Sequence, residues 1–256
     1  MLSESQTLSS HNDPFDHWVI DNFFDPNVAK QLEQDFYDFD DERWLTKNHT
    51  EFEQKRLSTH WDWYPKSIYS AFFYLCSQEF IQYLESITGI SGLIADYGLH
   101  AGGMHIHGAN GGRLNLHQDA ELHPKLGLKR KLNIIIYLNS NWQESWGGSL
   151  ELWSASSHDG QPDKRVKEIS PMFNRAFIFD TTQNSWHGLP NEDAIRSPEN
   201  EHRKSIALFY YLENDILDTD KRTRAIFAPT DWQKNDQEIM SKIHDRLKKE
   251  ATWNGR

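Results

Sequence analysis

His117-Gln118-Asp119, a single His187 further along, and Arg203-Lys204-Ser205 beyond it are the residues of this chain best suited to chemistry. Two imidazoles and one carboxylate make a three-point facial set for a divalent metal. Such a set leaves coordination positions open, and it is the donor set of non-haem Fe(II) sites that handle O2. An arginine on a later strand can hold an organic acid through two parallel hydrogen bonds, more directionally than a lysine can.

His-x-Asp alone is a weak motif, and it occurs three times here: His11/Asp13, His60/Asp62 and His117/Asp119. The first lies in a polar terminal stretch, where nothing would hold a metal rigidly. The second has no matching partners at a sensible distance. The third sits in Arg113-Leu114-Asn115-Leu116-His117-Gln118-Asp119. Strand alternation puts Leu114, Leu116 and Gln118 on one face and Arg113, Asn115, His117 and Asp119 on the other. A face with four successive polar residues is either solvated or lines a polar pocket. The i, i+2 spacing also aims His117 and Asp119 the same way, about 6.6 Å apart at Cα. His187 follows the apolar run Ala176-Phe177-Ile178-Phe179 and precedes Gly188-Leu189-Pro190, so it is expected at a strand end, held in a turn. His123, His158, His202 and His244 read as surface histidines. In Arg203-Lys204-Ser205-Ile206-Ala207-Leu208-Phe209, Arg203 shares a face with Ser205, Ala207 and Phe209, and these small neighbours leave room for a carboxylate. Lys204 points the other way and is the lesser candidate for that anchor.

Residues 1–14 are polar and are expected to be a flexible tail. Residues 15–256 read as a single domain: a helical part at 15–92, a strand-rich core at 93–215 and a helical extension at 216–256. Trp18-Val19-Ile20 suits a short strand. Asp25-Pro26 opens a helix carrying Val28, Leu32, Phe36 and Phe39 at helical spacing, and a second helix is expected from Ser67 to Ser86. Strands are expected at Met104–Ile106, Leu114–His117, Leu132–Leu138, Ser149–Trp153, Ala176–Phe179 and Ile206–Tyr211. A last helix after Pro229 would be capped by Thr230, with Ile239, Ile243 and Leu247 as its stripe. The class is therefore α+β, a double-sheet jelly roll with buttressing helices before it and one helix after it.

The composition, 37% hydrophobic and 25% charged, is that of a globular protein, and no apolar run approaches a membrane span. A net charge of −11 argues against binding to a nucleic-acid backbone. One local basic cluster stands out, Lys125, Lys129, Arg130 and Lys131, either a solvated loop or a substrate-facing rim. The single Cys76 excludes an internal disulfide. With Met1–Gln6 lacking a secretory pattern, a cytoplasmic location is expected. Neither the oligomeric state nor the pathway is readable.

The stretch from about Gly108 to Leu212 resembles the Fe(II)/2-oxoglutarate-dependent dioxygenases in their prolyl-4-hydroxylase-like branch. The resemblance rests on Arg113–Asp119, Leu132–Asn139, Trp142, Gly147–Leu152, His187–Pro190 and Arg203–Ser205. It implies a double-stranded β-helix and iron held by His117, Asp119 and His187. It also implies 2-oxoglutarate held by Arg203, helped by Ser205, Tyr137 and Asn133. Relatives often carry a tyrosine ten residues before the first histidine ligand, and this chain has His107 there. O2 as co-reactant, and ascorbate as accessory, follow from the same resemblance. So does hydroxylation of a small-molecule or peptide substrate: a prolyl residue or proline first, otherwise another amino acid or a sugar or lipid precursor. Asp119 favours hydroxylation, because a halide would need a vacant site there. Phe209, where a second arginine would be expected, argues against a nucleic-acid demethylase. A cupin-like metal enzyme that ignores 2-oxoglutarate, and a silent jelly-roll binding module, remain the alternatives. The loops 120–131 and 191–202 are the expected substrate walls.

Overall fold

The computed structural model describes residues 1–44, 46–191, 194–213 and 222–247. Its first part comprises β1 (Thr7–His11), β2 (His17–Asp21), α1 (Pro26–Gln34), β3 (Thr46–His49), β4 (Glu53–Ser58), α2 (Lys66–Leu75), α3 (Gln78–Thr88) and β5 (Ile94–Ala95). The core continues through β6 (Gly103–His107), β7 (Arg113–Gln118), β8 (Lys129–Tyr137), β9 (Leu150–Ala155), β10 (Pro162–Ile169), β11 (Ala176–Asp180), β12 (Trp186–Leu189) and β13 (Arg203–Leu212). It ends with β14 (Ile226–Phe227) and α4 (Gln237–Leu247).

The strands form one curled antiparallel ladder in the order β1-β2-β11-β8-β13-β6-β4-β7-β12-β9-β10, the jelly-roll-like half-barrel expected. β4 makes the bend: its C-terminal half pairs with β6 and its first residues pair with β7. Alternation along the long central strands sorts the two faces. Leu132, Ile134 and Ile136 of β8, with Ile206, Leu208 and Tyr210 of β13, pack outward into one apolar cluster with Leu32, Ile68, Phe72, Phe80 and Leu84 of the helices. Each such buried side chain contributes about 1.5–3 kcal/mol, so this layer anchors the sheet. The intervening residues, Asn133 and Ile135 of β8 and Arg203, Ser205, Ala207 and Phe209 of β13, line the concave face. Phe177, Phe179, Leu150 and Leu152 fill the deep end of that concavity.

Several expectations are corrected. Residues 1–14 are not a loose tail: β1 pairs with β2 over its full length, Leu2 bridges to Phe24, and the Gln6 amide donates to the Phe23 carbonyl at 2.7 Å. The side chains of β1 are all exposed, so its polarity hid a backbone-paired edge strand. Asp25 does cap α1, accepting from the amides of Asn27 and Val28, but the helix ends at Gln34, before Phe36 and Phe39. The long second helix is two, because Ser77 accepts from the Phe80 amide and restarts the chain as α3. Thr230 does not cap α4. Asp236 does, accepting from the amides of Glu238 and Ile239.

Candidate metal centre and its cavity

β7 and β12 lie side by side, and their pairing is irregular where it matters. His187 pairs with His117 while Leu189 pairs with Leu114, so β7 carries one residue more than β12 over that span. This bulge breaks the simple alternation. Leu114, His117 and Asp119 line the cavity, whereas the Asn115 amide turns away to the Ala228 carbonyl and the Gln233 side chain. The four-residue polar face expected from alternation is therefore split. Gly188 accommodates the bulge: a Cβ there would lie 2.7 Å from the carbonyl oxygens of both Leu114 and Asn115. His187 thus stands inside a strand rather than in a turn, directly opposite His117.

The three side chains meet. Their potential ligand atoms all lie within 4.8 Å of one another, and no other such group occurs among the described residues. His117 Nε2 is 3.8 Å from one Asp119 oxygen, and His187 Nε2 is 3.9 Å from the other. Each imidazole uses Nδ1 on the backbone carbonyl two residues earlier, Asn115 for His117 at 3.0 Å and Ser185 for His187 at 2.8 Å. A carbonyl only accepts, so Nδ1 carries the proton and Nε2 presents its lone pair toward Asp119. Burial, reinforced by His187, pushes His117 down to about 3. Burial likewise holds His187 below its ordinary value against the pull of Asp119. Burial opposes ionisation of Asp119, but His187, Arg130 and His117 outweigh it and keep the carboxyl below its ordinary range. Two neutral imidazoles and a carboxylate are the protonation states a divalent cation requires. Asp119 Oδ2 is buried without a hydrogen-bond partner, and a cation would satisfy it.

Across the cavity, of about 340 Å³, stands Arg203. It is 2% exposed, its Nε donates to the Gly148 carbonyl at 2.7 Å, and its guanidinium lies 4.8 Å from the centre of the Tyr137 ring. Gly148 (φ +75°) permits this approach, since a Cβ would lie 3.1 Å from Arg203 Cδ. No carboxylate pairs with Arg203 among the described residues, although a buried cation is costly without one. The surrounding polar groups are also unsatisfied. His107 at both ring nitrogens, Asn133 at Oδ1 and the Tyr137 hydroxyl are buried without partners. Burial, with Arg203 beside it, pushes His107 well below its ordinary value, so it is a neutral donor and acceptor. Ser205, buried, lines the wall between Arg203 and Ala207. The donor set fits a dicarboxylate reaching from the cation site to Arg203.

Sequence reasoning missed several lining residues. Lys55, paired with Glu53 at 3.1 Å, comes from β4, whose polar sequence gave no strand signal. Arg130 belonged to a basic cluster that does not act as one patch. It turns inward to 3.8 Å from Asp119 and donates to the Tyr211 hydroxyl, while Lys131 pairs with Asp180 on the other face. Thr223, Arg224, Ala225, Phe227 and Arg246 close the near side. Ala120 and Arg130 represent the loop 120–131 in the wall; no described residue of the loop 191–202 is among the lining residues, and residues 192–193 lie outside the described part. His123, read as a surface residue, is buried 3.6 Å from Asp96. The rejected motifs stay rejected: His60 stacks on Trp63 and His11 on His17.

A family model described as "2OG-Fe(II) oxygenase superfamily" matches residues 102–211. Among solved structures, a prolyl-4-hydroxylase from Pseudomonas putida is 14% identical, covering 82% of this chain and 95% of its own, with a TM-score of 0.54. HygX from Streptomyces hygroscopicus, solved with nickel, 2-oxoglutarate and hygromycin B bound, is 15% identical, covering 77% and 82%, with a TM-score of 0.50. At these identities the structural likeness speaks for the fold, and the family match for the core. No helix among the described residues is long and apolar enough to cross a membrane. Residues 102–211 thus match the family model of the 2OG-Fe(II) oxygenase superfamily, and the fold resembles that of a prolyl-4-hydroxylase.

Proposed function

We propose that this protein is an Fe(II)- and 2-oxoglutarate-dependent hydroxylase, with His117, Asp119 and His187 as the iron ligands and Arg203 as the cosubstrate anchor. The convergence of the three ligand atoms within 4.8 Å, across the cavity from a buried guanidinium that no carboxylate among the described residues pairs, is the observation that carries this reading. When bound, iron, 2-oxoglutarate and O2 supply the oxidant for an unactivated C–H bond, with succinate and CO2 released. The protein's part is positioning. The carbonyls of Asn115 and Ser185 fix both imidazoles in the metal-binding tautomer. Arg203, braced by Gly148 and Tyr137, takes the distal carboxylate of the cosubstrate, and Ser205, Asn133, Tyr137 and His107 supply its remaining hydrogen bonds. Charge supports the assignment: +2 from iron, −1 from Asp119, −2 from the dianion and +1 from Arg203 cancel among the assigned groups, with Arg130 beside Asp119 as a further buried cation. The apolar deep wall of Leu150, Ile135 and Leu189 keeps water from the reacting end.

The substrate is a prolyl residue or free proline, or failing that another amino acid or a sugar or lipid precursor. A likeness that holds hygromycin B favours the small-molecule side, and the prolyl-4-hydroxylase likeness the prolyl side. The test is anaerobic loading with Fe(II) and 2-oxoglutarate, then succinate release across metabolite and peptide panels, with and without ascorbate. Substrate-stimulated succinate release that is lost in Arg203→Ala supports the reading. An Arg203→Ala enzyme of full activity would instead mean a metal enzyme that ignores 2-oxoglutarate.

A further inference from the structure

The chain carries a net charge of −11, yet cations dominate the cavity wall. Once Arg203 is assigned to the cosubstrate and Asp119 to the metal, Lys55, Arg130, Arg224 and Arg246 remain against Glu53 alone among the described lining residues. Arg130 is deep and engaged with Tyr211 and Asp119. The other three line the same cavity. Arg246 is placed by its packing: its guanidinium carbon lies 5.3 Å from the Phe52 ring centre and 5.0 Å from that of Phe227. The Phe227 ring in turn lies 5.5 Å from the His117 ring. The cation is thus held one aromatic ring away from a proposed metal ligand. Among the described residues its hydrogen bonding is slight, a single contact from one terminal nitrogen to the Ala225 carbonyl at 3.4 Å. A guanidinium has five donors, so that contact leaves most of its capacity unused, and Arg246 is among the residues that line the cavity. A cavity wall rich in cations in an anionic protein also concentrates anions locally.

From this arrangement we propose that the substrate bears an anionic group, a carboxylate or phosphate, docked by Arg246 with Lys55 and Arg224 while the C–H bond to be oxidised lies over the metal. This rests on the hydroxylase reading and narrows its substrate class. Arg203 and Arg246 then divide the labour: one guanidinium holds the cosubstrate from β13, the other holds the substrate from α4.

The test uses the full chain loaded anaerobically with Fe(II) and 2-oxoglutarate, so that Arg203 is engaged, and inorganic phosphate as the calorimetric probe. Arg246→Gln is expected to weaken phosphate binding by about tenfold while the visible absorption of the 2-oxo-acid chelate stays unchanged. Arg246→Lys keeps most of the affinity, and Lys55→Gln provides a second variant should Arg246→Gln fail to fold. Turnover is compared within two matched pairs, a sugar phosphate against its free sugar and an aspartate-containing prolyl peptide against its asparagine counterpart. The pairs separate small-molecule from peptide sources, and the anionic member is expected to release more succinate. Phosphate affinity indifferent to both substitutions, or turnover favouring the neutral members, overturns the proposal. A missing chelate absorption instead overturns the hydroxylase reading, and phosphate titration of the metal-free chain still decides the docking site.

Discussion

The two faces of the β8–β13 pair obey opposite rules. On the convex face, Ile134, Ile136, Ile206 and Leu208 are fully buried against the helices and carry no polar side-chain atom. On the concave face, one residue away along each strand, Asn133, Arg203 and Ser205 are also buried, yet among the described residues the Asn133 carbonyl oxygen has no hydrogen-bond partner and Arg203 no carboxylate. The convex face is complete as folded. The concave face is complete only with a ligand, since buried polar groups are nearly always paired. The faces therefore respond differently to mutation: stability is vested in one and binding in the other.

The sharpest contrast is between truncations on the two sides. Asp119→Ala should abolish metal uptake and lower turnover by at least about 10³-fold, while the metal-free protein stays folded with only a modest loss of stability, because the substitution removes the unpartnered Oδ2 together with the 3.8 Å contact of Oδ1 with Arg130. Ile134→Ala should do the reverse, costing about 2–5 kcal/mol in denaturant titrations with metal affinity retained at low temperature. If Asp119→Ala unfolds the apo protein, the division of labour is wrong.

Gly188→Ala joins the two properties. With Leu114 and Asn115 carbonyl oxygens 2.7 Å from the added Cβ, β12 must shift and carry His187 with it. Metal affinity should fall by about 10–100-fold together with a lower melting temperature. An alanine enzyme with unchanged metal affinity would show that the bulge does not set the site.

Arg203→Lys should raise the 2-oxoglutarate KM by about tenfold or more and leave metal binding intact, because the planar two-point contact is lost but the charge is kept. Equal losses in metal and cosubstrate affinity would contradict separate anchors.

Acid should destabilise the metal-free protein through its buried histidines. Burial pushes His105 down to about 3 and His17 to about 4, so in the window between those values and about 6.5 the unfolded chain binds more protons than the folded one. Stability therefore rises with pH through that window and is lost as pH falls, with a slope of up to about 1.4 kcal/mol per pH unit for each histidine. His17→Phe should flatten the profile in denaturant titrations between pH 4 and 6.5; an unchanged slope would refute its share.

Tyr137→Phe is the mildest change. It removes a buried hydroxyl without a partner but keeps the ring under Arg203, so apo stability should hold and the 2-oxoglutarate KM should rise about three- to tenfold.

Much of the site was legible along the chain because its elements are local. His117 and Asp119 sit two apart, Arg203 and Ser205 likewise, and alternation assigned the β13 face correctly. Alternation failed on β7, where the bulge opposite Gly188 reset the parity and removed Arg113 and Asn115 from the pocket. Helix α1 was readable from its Asp25-Pro26 start, but its end was not, and the Ser77 break was hidden because both halves present apolar faces. Lys55, Arg224 and Arg246 carried no local signal. Their strand, loop and helix meet the cavity only after the sheet has curled.

By itself, the sequence determined which donors exist, which strands alternate and which side of β13 would be polar, since these follow from the two-residue period of an extended backbone. Tertiary structure alone decided that His187 stands opposite His117, that Arg130 turns toward Asp119, and that cations from β4, the segment before β14, and α4 line one cavity. Those relations join residues far apart in the chain. They depend on how the ladder bends through β4 and where a single extra residue in β7 shifts its register, and no local periodicity encodes either.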